Sequence, residues 1–254
     1  MPARDGCAFC LSTASRTGEH LWSAWAGDLI GKTSYRFRHK VSEREVRTWT
    51  HAKLNSKAKV VCERCNSGWM SKVETQTKPI IQDMILRGSA TGLKPPDLAK
   101  IAVFAFLKAV VADHMHDNRP PFFTFSERHS FAEGLTIPVG VQMWLASTVG
   151  TRGLFKSYTT ESVGNNSRSL KIQAFTYGLG HFVVQMTVFR WKKIIFRRQR
   201  VPSLPPLTQH GIWDSLAISF WPLNGTIIHW PPPKSLPDDS IDTFAKRWTK
   251  LEWA

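Results

Sequence analysis

The sequence predicts an α+β protein made of two parts. The first part carries all four cysteines of the chain, arranged as two Cys-x-x-Cys pairs. The second part has a long apolar segment at residues 101–112, followed by several segments in which apolar and polar residues alternate. Such alternation is typical of half-buried strands, and a continuous apolar segment of this length favours a buried helix. We therefore expect a cysteine-rich N-terminal module and then an α+β domain with an antiparallel sheet.

The boundary between the two parts is predicted from turn-forming residues. The segment RGSATGLKPP at residues 87–96 carries two glycines and a Pro-Pro pair between two helical patterns. Glycine and proline in such a cluster interrupt regular structure and are typical of connecting loops. We therefore expect one domain at residues 1–90 and a second at residues 91–254.

The individual elements are predicted from residue spacing. In the first part we expect short strands and loops up to Val61, and then a helix that begins near Asn66 and is kinked or restarted by Pro79. The second part should open with a helix over residues 97–114. The alternating segments VQMWLAST, SLKIQAFTY, HFVVQMTVFRW and LAISFW predict antiparallel strands, and residues 239–251 predict a closing helix.

The composition indicates a folded and strongly basic protein. The 254 residues include 34 Lys and Arg against 19 Asp and Glu, which gives a formal net charge of +15, and 42% of the residues are hydrophobic. These values exclude a disordered tail, a collagen-like chain and a low-complexity scaffold. The positive charge favours a polyanion as partner.

The cellular setting is predicted from the apolar segments. The most apolar one, residues 101–112, is too short to span a membrane and is interrupted by Lys108. The opening residues MPARDGCAFC lack the apolar core of a signal peptide. We expect a cytoplasmic protein with no membrane partner. Because thiols stay reduced in that compartment, the cysteines are better explained as metal ligands or nucleophiles than as disulfides.

The spacing of the cysteines predicts a structural zinc site. Each Cys-x-x-Cys pair can place two thiolates on a tetrahedral zinc ion, and two pairs complete a closed site with no position for water. Residues 11–61 separate the pairs, a gap well beyond the roughly 15–20 residues of a simple zinc ribbon. The expected zinc ligands are Cys7, Cys10, Cys62 and Cys65.

Three polar residues are tied to this zinc site by the chain. Glu19 and His20 lie between the pairs, in TGEHLWSAW, and Asn66 directly follows the last cysteine, in CERCNSGWMSKVE. This order of CxxC, acid-His and CxxC-Asn resembles the zinc-stapled HNH (His-Me finger) endonucleases. Within that family it is most similar to the subgroup typified by phage endonuclease VII resolvases. The resemblance covers roughly residues 1–80.

A longer pattern, EHLWSAW followed by VVCERCNSGWMSKVE, also resembles a widespread set of largely uncharacterised bacterial proteins. The rest of the chain resembles only the C-terminal region of that set, which has no assigned activity. For residues 91–254 we therefore expect an accessory domain that binds, senses or recruits.

The HNH resemblance implies a ββα-metal module in which three residues act in catalysis. His20 would be the general base, and Glu19 and Asn66 would hold one catalytic Mg²⁺ or Mn²⁺ ion in addition to the structural zinc. A neutral imidazole can take a proton from water, and hard cations prefer oxygen ligands. Two positions depart from the family. Glu19 is longer than the Asp common in the resolvases, and Met70 stands where many members carry a further metal ligand.

Two basic tracts are expected to contact the backbone of a nucleic acid. In residues 31–60 basic residues far outnumber acidic ones, and residues 162–213 contain no Asp or Glu. Phosphate contacts of this kind give salt-sensitive affinity without base information. The candidate contacts are Arg36, Arg38, Lys40, Lys53 and Lys57 in the first tract, and Lys192, Lys193, Arg197 and Arg198 in the second.

Together these expectations describe a metal-dependent endonuclease that hydrolyses phosphodiester bonds of DNA. RNA is an alternative substrate, and a homodimer would suit double-strand cleavage. A role in defence against foreign DNA, or in cutting branched DNA, follows only from the resemblance. The alternative function is a non-catalytic zinc-containing module that binds nucleic acid or a protein, in which Glu19 and His20 no longer catalyse.

Overall fold

The protein is α+β, as the sequence predicts. The structure is a computed structural model, and it describes residues 6–31, 35–40, 46–51, 54, 56–115, 120–149, 153–163, 168–193 and 211–250. For part of these, including residues 35–40 and 191–193, it describes the backbone and not the side chains.

The chain divides into two compact units, each built from two separate segments. The first unit comprises residues 1–82 and 103–137, and the second comprises residues 83–102 and 138–254. This grouping differs from the predicted domains 1–90 and 91–254. The physical reason is that residues 103–137 supply buried aromatic and charged side chains to the cysteine-bearing segment, as described below.

The first unit begins with four strands, a helix between the first two of them, and two helices after the fourth. They are β1 (Arg16–His20), α1 (Ala24–Ile30), β2 (Tyr35–Lys40), β3 (Val46–His51), β4 (Lys57–Cys62), α2 (Glu63–Cys65) and α3 (Ser71–Arg87). β1 pairs antiparallel with β4, and the register shifts between Thr17 and Gly18. β2 and β3 form a separate antiparallel pair within the segment that joins β1 to β4. The pairing of β1 with β4 places the start and the end of the segment between the two cysteine pairs next to each other.

The helical segment after the last cysteine starts where the sequence predicts it, but it is broken at a different place. A π-helical turn, Asn66–Met70, joins α2 to α3, and Gly68 within it has non-helical angles of φ −87° and ψ −110°. Contrary to expectation, the helix does not restart at Pro79, which lies inside α3. Thr77 and Ile81 on either side of Pro79 are both fully buried. Proline removes one backbone donor from the helix. The packing of these two side chains therefore stabilises the helix at Pro79.

Two more helices contribute to the first unit. α4 (Pro95–Asp113) is the predicted long apolar helix, and α5 (Phe125–Gly134) is an element that the sequence analysis did not predict. A capping box starts α5, since Thr124 Oγ1 accepts the Glu127 N–H and Glu127 accepts the Thr124 N–H. The Phe131 ring of α5 packs 4.6 Å from the Phe106 ring of α4, centroid to centroid.

The second unit contains the predicted antiparallel sheet. Its strands lie in the order β10-β6-β9-β8-β7, and each neighbouring pair is antiparallel. Four strands match the predicted segments, and β7 is an addition. The strands are β6 (Val141–Ser147), β7 (Leu154–Val163), β8 (Arg168–Leu179), β9 (Phe182–Lys193) and β10 (Ala217–Trp221).

A smaller strand pair and a closing helix accompany this sheet. β5 (Thr91–Leu93) pairs antiparallel with β11 (Ile228–Trp230). The predicted closing helix is present as a short helix, α6 (Ile241–Lys246), flanked by 3-10 turns at Asp238–Ser240 and Arg247–Lys250. The core of the unit includes the buried side chains of Trp144, Phe189 and Phe244. Among the helices described, none is both long and apolar enough to span a bilayer.

The turn between β8 and β9 provides a test of this sheet. Gly180 has a φ of +56°, and a Cβ there would clash with the carbonyl oxygen of Ile85. Gly180→Ala should therefore lower the free energy of unfolding by about 2 kcal/mol or more, measured by urea denaturation. Gly225→Ala is the matched control, because Gly225 has a φ of +82° but a Cβ added there would meet no heavy atom within 4 Å. Equal losses for the two variants would contradict the close approach at Gly180.

Candidate metal centre and histidine site

The four cysteines converge on one point. Their sulfur atoms all lie within 4.8 Å of one another, and the Sγ atoms of Cys10 and Cys62 are 3.6 Å apart. A tetrahedral zinc ion with Zn–S bonds of about 2.3 Å requires S···S distances of about 3.8 Å. The four cysteines could therefore hold a zinc ion. Among the described residues they form the one group of three or more His, Cys, Asp and Glu side chains suited to a metal.

Local backbone contacts shape the first cysteine pair. The Leu11 N–H donates to the Cys7 carbonyl at 3.0 Å, and the Cys7 N–H donates to the Ser12 carbonyl at 2.9 Å. The Ala8 N–H donates to the Val60 carbonyl at 2.8 Å, which joins this turn to β4. β4 ends at Cys62, the first cysteine of the second pair. The same strand therefore contacts the first cysteine pair and carries the start of the second.

The thiols differ in how readily they lose a proton. Burial raises the pKa of Cys7. Burial acts in the same direction on Cys10, but the Ser12 backbone and the neighbouring thiols outweigh it and lower the pKa of Cys10 to about 7. Zinc binds thiolates, so Cys10 is the ligand best prepared for the metal at neutral pH.

Side chains from residues 103–137 pack against the cysteine cluster and donate hydrogen bonds to it. The Trp69 ring lies 5.0 Å from the Phe9 ring and 5.6 Å from the Phe131 ring of α5. The Arg128 guanidinium donates to the carbonyl of Ala8 and, at 2.8 Å, to the Nε2 atom of His114. The cysteine turn is thus packed and hydrogen-bonded by elements that lie far along the chain.

The predicted general base, His20, is the last residue of β1 and is paired in register with Lys57 of β4. Its side chain is half-buried. Burial lowers the pKa of His20, and the positive charges of Lys57 and Lys108 lower it further, whereas Glu74 acts in the opposite direction. The imidazole is therefore neutral at pH 7 and able to accept a proton.

The predicted metal ligand Glu19 is 5% exposed and is bound by a lysine. The Lys108 ammonium donates to Glu19 Oε1 at 2.7 Å. Burial raises the pKa of Glu19, and the Lys108 charge opposes that rise. Glu19 thus belongs to an ion pair inside the unit.

Lys108 and Glu74 complete this ion pair, and the sequence analysis assigned neither of them to the site. Lys108, on α4, is fully buried and also donates to Glu74 Oε1 at 2.5 Å and to the His20 carbonyl at 2.8 Å. Burial alone would lower the pKa of Lys108, but Glu74 and Glu19 outweigh it and raise the pKa. The signal in the sequence was a lysine within an apolar helix, because lysine is almost never fully buried unless it is paired.

The third predicted site residue, Asn66, holds the helix against β1. Its Nδ2 atom donates to Thr17 Oγ1 at 2.9 Å, and Thr17 in turn donates to the Val61 carbonyl at 3.3 Å. Thr17 lies two residues before Glu19. Asn66 therefore positions the strand that carries Glu19 and His20.

The donor set around Glu19 does not fit the catalytic Mg²⁺ or Mn²⁺ ion that the HNH resemblance implies. The Glu19 carboxylate already faces an ammonium, and the Asn66 amide is fixed to Thr17. A divalent ion and the Lys108 ammonium would both bind the Glu19 carboxylate and would repel each other. The repulsion is strong because the site is buried. These groups form an ion-pair cluster rather than a metal site.

Cationic side chains line a cavity beside the cysteine turn. The cavity has a volume of about 570 Å³, and its lining includes Arg16, Lys57, Lys59 and Arg128. None of the described residues that line it is acidic. Such a cavity suits an anionic ligand.

Only one of the predicted nucleic-acid contacts has a described side chain. Lys57 is exposed on β4. The structure describes the backbone alone for Arg36, Arg38 and Lys40 in β2 and for Lys192 and Lys193 in β9, and Lys53, Arg197 and Arg198 lie outside the described residues.

Comparison with protein-family models, with curated proteins and with solved structures finds no match to this chain. The functional argument therefore depends on the residues and their geometry.

Replacement of one cysteine tests the zinc site. Cys62→Ser should reduce bound zinc from one ion per chain to none, and the first unit should lose cooperative unfolding, because metal binding to such a site is coupled to folding. Zinc content by mass spectrometry and thermal melting measure the two effects. Ser67→Ala, in the adjacent turn, is the control and should keep both properties. A Cys62→Ser protein with one zinc and unchanged melting would contradict the site.

Proposed function

We propose that this protein hydrolyses phosphodiester bonds of nucleic acid, DNA in the first place, with His20 as the general base. The observation that carries the proposal is the placement of His20. The imidazole lies half-buried at the end of β1, opposite Lys57, and the His20 carbonyl accepts a hydrogen bond from the fully buried Lys108. Neutral imidazole beside fixed positive charge is an arrangement suited to attack on a phosphate.

The chemistry needs one proton acceptor and one electrophilic phosphorus. His20 takes a proton from water as the water oxygen forms a bond to phosphorus, and the bond from phosphorus to the leaving oxygen breaks. The leaving oxygen keeps the bonding electron pair and takes a proton from solvent. The exposed Lys57 ammonium, on the strand paired with His20, stabilises the charge that builds on the phosphoryl oxygens.

The basic cavity supports a nucleic acid as the substrate. Arg16, Lys57, Lys59 and Arg128 all line it. His20 does not line the cavity, but its strand partner Lys57 does. Each cation that neutralises a phosphate releases a counterion, so binding should weaken steeply as salt rises. The net charge of +15 also attracts a polyanion, and it does so at longer range.

A second function is favoured by a specific observation, the ion pair at Glu19. Because Lys108 takes the carboxylate that a nuclease of the HNH type would use for its metal, the same fold could serve as a non-catalytic zinc-containing module. Such a module would bind nucleic acid through the same cavity without cutting it. RNA as substrate, a homodimer, a cytoplasmic location and a role in defence against foreign DNA stay predictions from the sequence.

Cleavage of supercoiled plasmid by the zinc-loaded full chain tests the base. His20→Ala should reduce the cleavage rate by about 10²–10⁴-fold while DNA binding stays near normal, because only the proton acceptor is removed. The rate of the wild type should rise with pH through a pKa below about 6.5 and stay level near pH 7, since the neutral imidazole is the active form.

The control for this experiment is His229→Ala, because His229 is exposed on β11 in the other compact unit. It should cleave as the wild type does. Unchanged cleavage by His20→Ala would remove His20 from the reaction, and binding without cleavage by the wild type would favour the non-catalytic module.

Salt dependence of DNA binding tests the cavity. Lys57→Gln should weaken binding at every salt concentration and reduce the slope of log K against log salt by about 1, since one phosphate contact is lost. Lys72→Gln is the matched control, because Lys72 is exposed on α3 and does not line the cavity. The two slopes are measured by fluorescence anisotropy. If both variants changed the slope equally, the effect would reflect net charge and not the cavity.

A further inference from the structure

Lys108 is a fully buried charge in the first unit. Its side chain is 1% exposed, and it projects from α4 towards β1 and α3. Three oxygen atoms surround its Nζ atom: Glu19 Oε1 at 2.7 Å, the His20 carbonyl oxygen at 2.8 Å and Glu74 Oε1 at 2.5 Å.

The number of oxygen atoms matches the charged form of lysine. An ammonium has three N–H donors and no acceptor, so three oxygen acceptors use every donor. A buried charge is tolerated when it is paired and its hydrogen bonds are complete. The three contacts meet both conditions, and they come from two separate elements of the chain, β1 and α3.

This ammonium lies directly beside the proposed base. It touches the carboxylate next to the proposed base and, at the same time, the main chain of the base itself. A divalent ion bound to Glu19 would share these oxygens with an ammonium whose side chain is 1% exposed. Magnesium also requires oxygen ligands at about 2.0–2.1 Å in near-octahedral order. One oxygen of each carboxylate, Glu19 Oε1 and Glu74 Oε1, already accepts from Lys108.

We infer that Lys108 is the resident cation of the His20 site and takes the place of a catalytic divalent ion. Glu19 and Glu74 are its counter-ions and bind no Mg²⁺ or Mn²⁺. Lys108 is a positioning residue, because it acts on the substrate through His20, whose carbonyl it holds. In the sequence, the π-helical turn with its kink at Gly68 lies between the second cysteine pair and Glu74.

Binding of Mn²⁺ to the zinc-loaded full chain tests this inference without any assay of activity. Electron paramagnetic resonance measures free Mn²⁺ during a titration of the wild type and of Glu19→Gln. The two proteins should bind Mn²⁺ equally and weakly. One Mn²⁺ per wild-type chain that is lost in Glu19→Gln would overturn the inference.

A second variant tests the role of the lysine. Lys108→Met leaves two carboxylates without their cation, so it should bind Mn²⁺ at least about tenfold more tightly than the wild type, and Lys108→Met combined with Glu19→Gln should lose that gain. Lys72→Met, on the exposed side of α3, is the control and should bind as the wild type does. A folded Lys108→Met protein that gains no Mn²⁺ would also overturn the inference. If Lys108→Met does not fold, the comparison of the wild type with Glu19→Gln decides alone.

The catalytic consequence rests on the proposed function. Cleavage by the wild type should persist in EDTA, provided that its zinc content is unchanged after the assay. Cleavage that requires Mg²⁺ or Mn²⁺ would contradict the inference and leave the nuclease proposal standing. Absence of cleavage under every condition would contradict the nuclease proposal, whereas the Mn²⁺ titration would still decide the role of Lys108.

Discussion

A fully buried lysine ammonium is the constraint around which the first unit is built. Transfer of an isolated ammonium into a protein interior costs several kcal/mol or more, which is comparable with the whole stability of a typical domain. The oxygens of Glu19, Glu74 and His20 offset that cost. Because these oxygens belong to β1 and α3 while Lys108 belongs to α4, the packing of three elements depends on one charge.

The cysteine cluster supplies a second constraint from the opposite end of the same strands. β1 and β4 pair so that Arg16 faces Cys62 at one end and His20 faces Lys57 at the other. A zinc ion on the four thiols would fix the first end, and the Lys108 cluster fixes the second. The strand pair is thus held at both ends, and His20 is placed by two independent sets of contacts. Such support is what a reacting group requires if it is to keep one geometry.

Much of this arrangement could be predicted from local patterns in the sequence. The Cys-x-x-Cys spacing predicts the sulfur cluster, alternation predicts β6, β8, β9 and β10, and the apolar segment predicts α4. These signals arise within a few residues of the chain, so they can be read without knowledge of the fold. Asn66 was predicted to bind a catalytic ion, whereas in the structure its amide donates to Thr17.

The remaining features depend on contacts between distant residues. Lys108 and Glu19 are 89 residues apart in the sequence. No local pattern of residues indicates that they pair. α5 was missed because its apolar face is weak, and its start is marked mainly by the Thr124 and Glu127 capping box. The division of the chain into units also follows from tertiary packing, since Phe131 and Arg128 join the cysteine turn only after the chain has folded back.

A buried ammonium on Glu19 and Glu74 organises the histidine site. A nitrogen-15 spectrum of the lysine side chains in the zinc-loaded chain tests it most directly, because an ammonium held by three oxygens exchanges its protons with water slowly. One protected NH₃⁺ signal should be present at neutral pH in the wild type and absent from Lys108→Gln. A spectrum in which every lysine ammonium exchanges rapidly would contradict it.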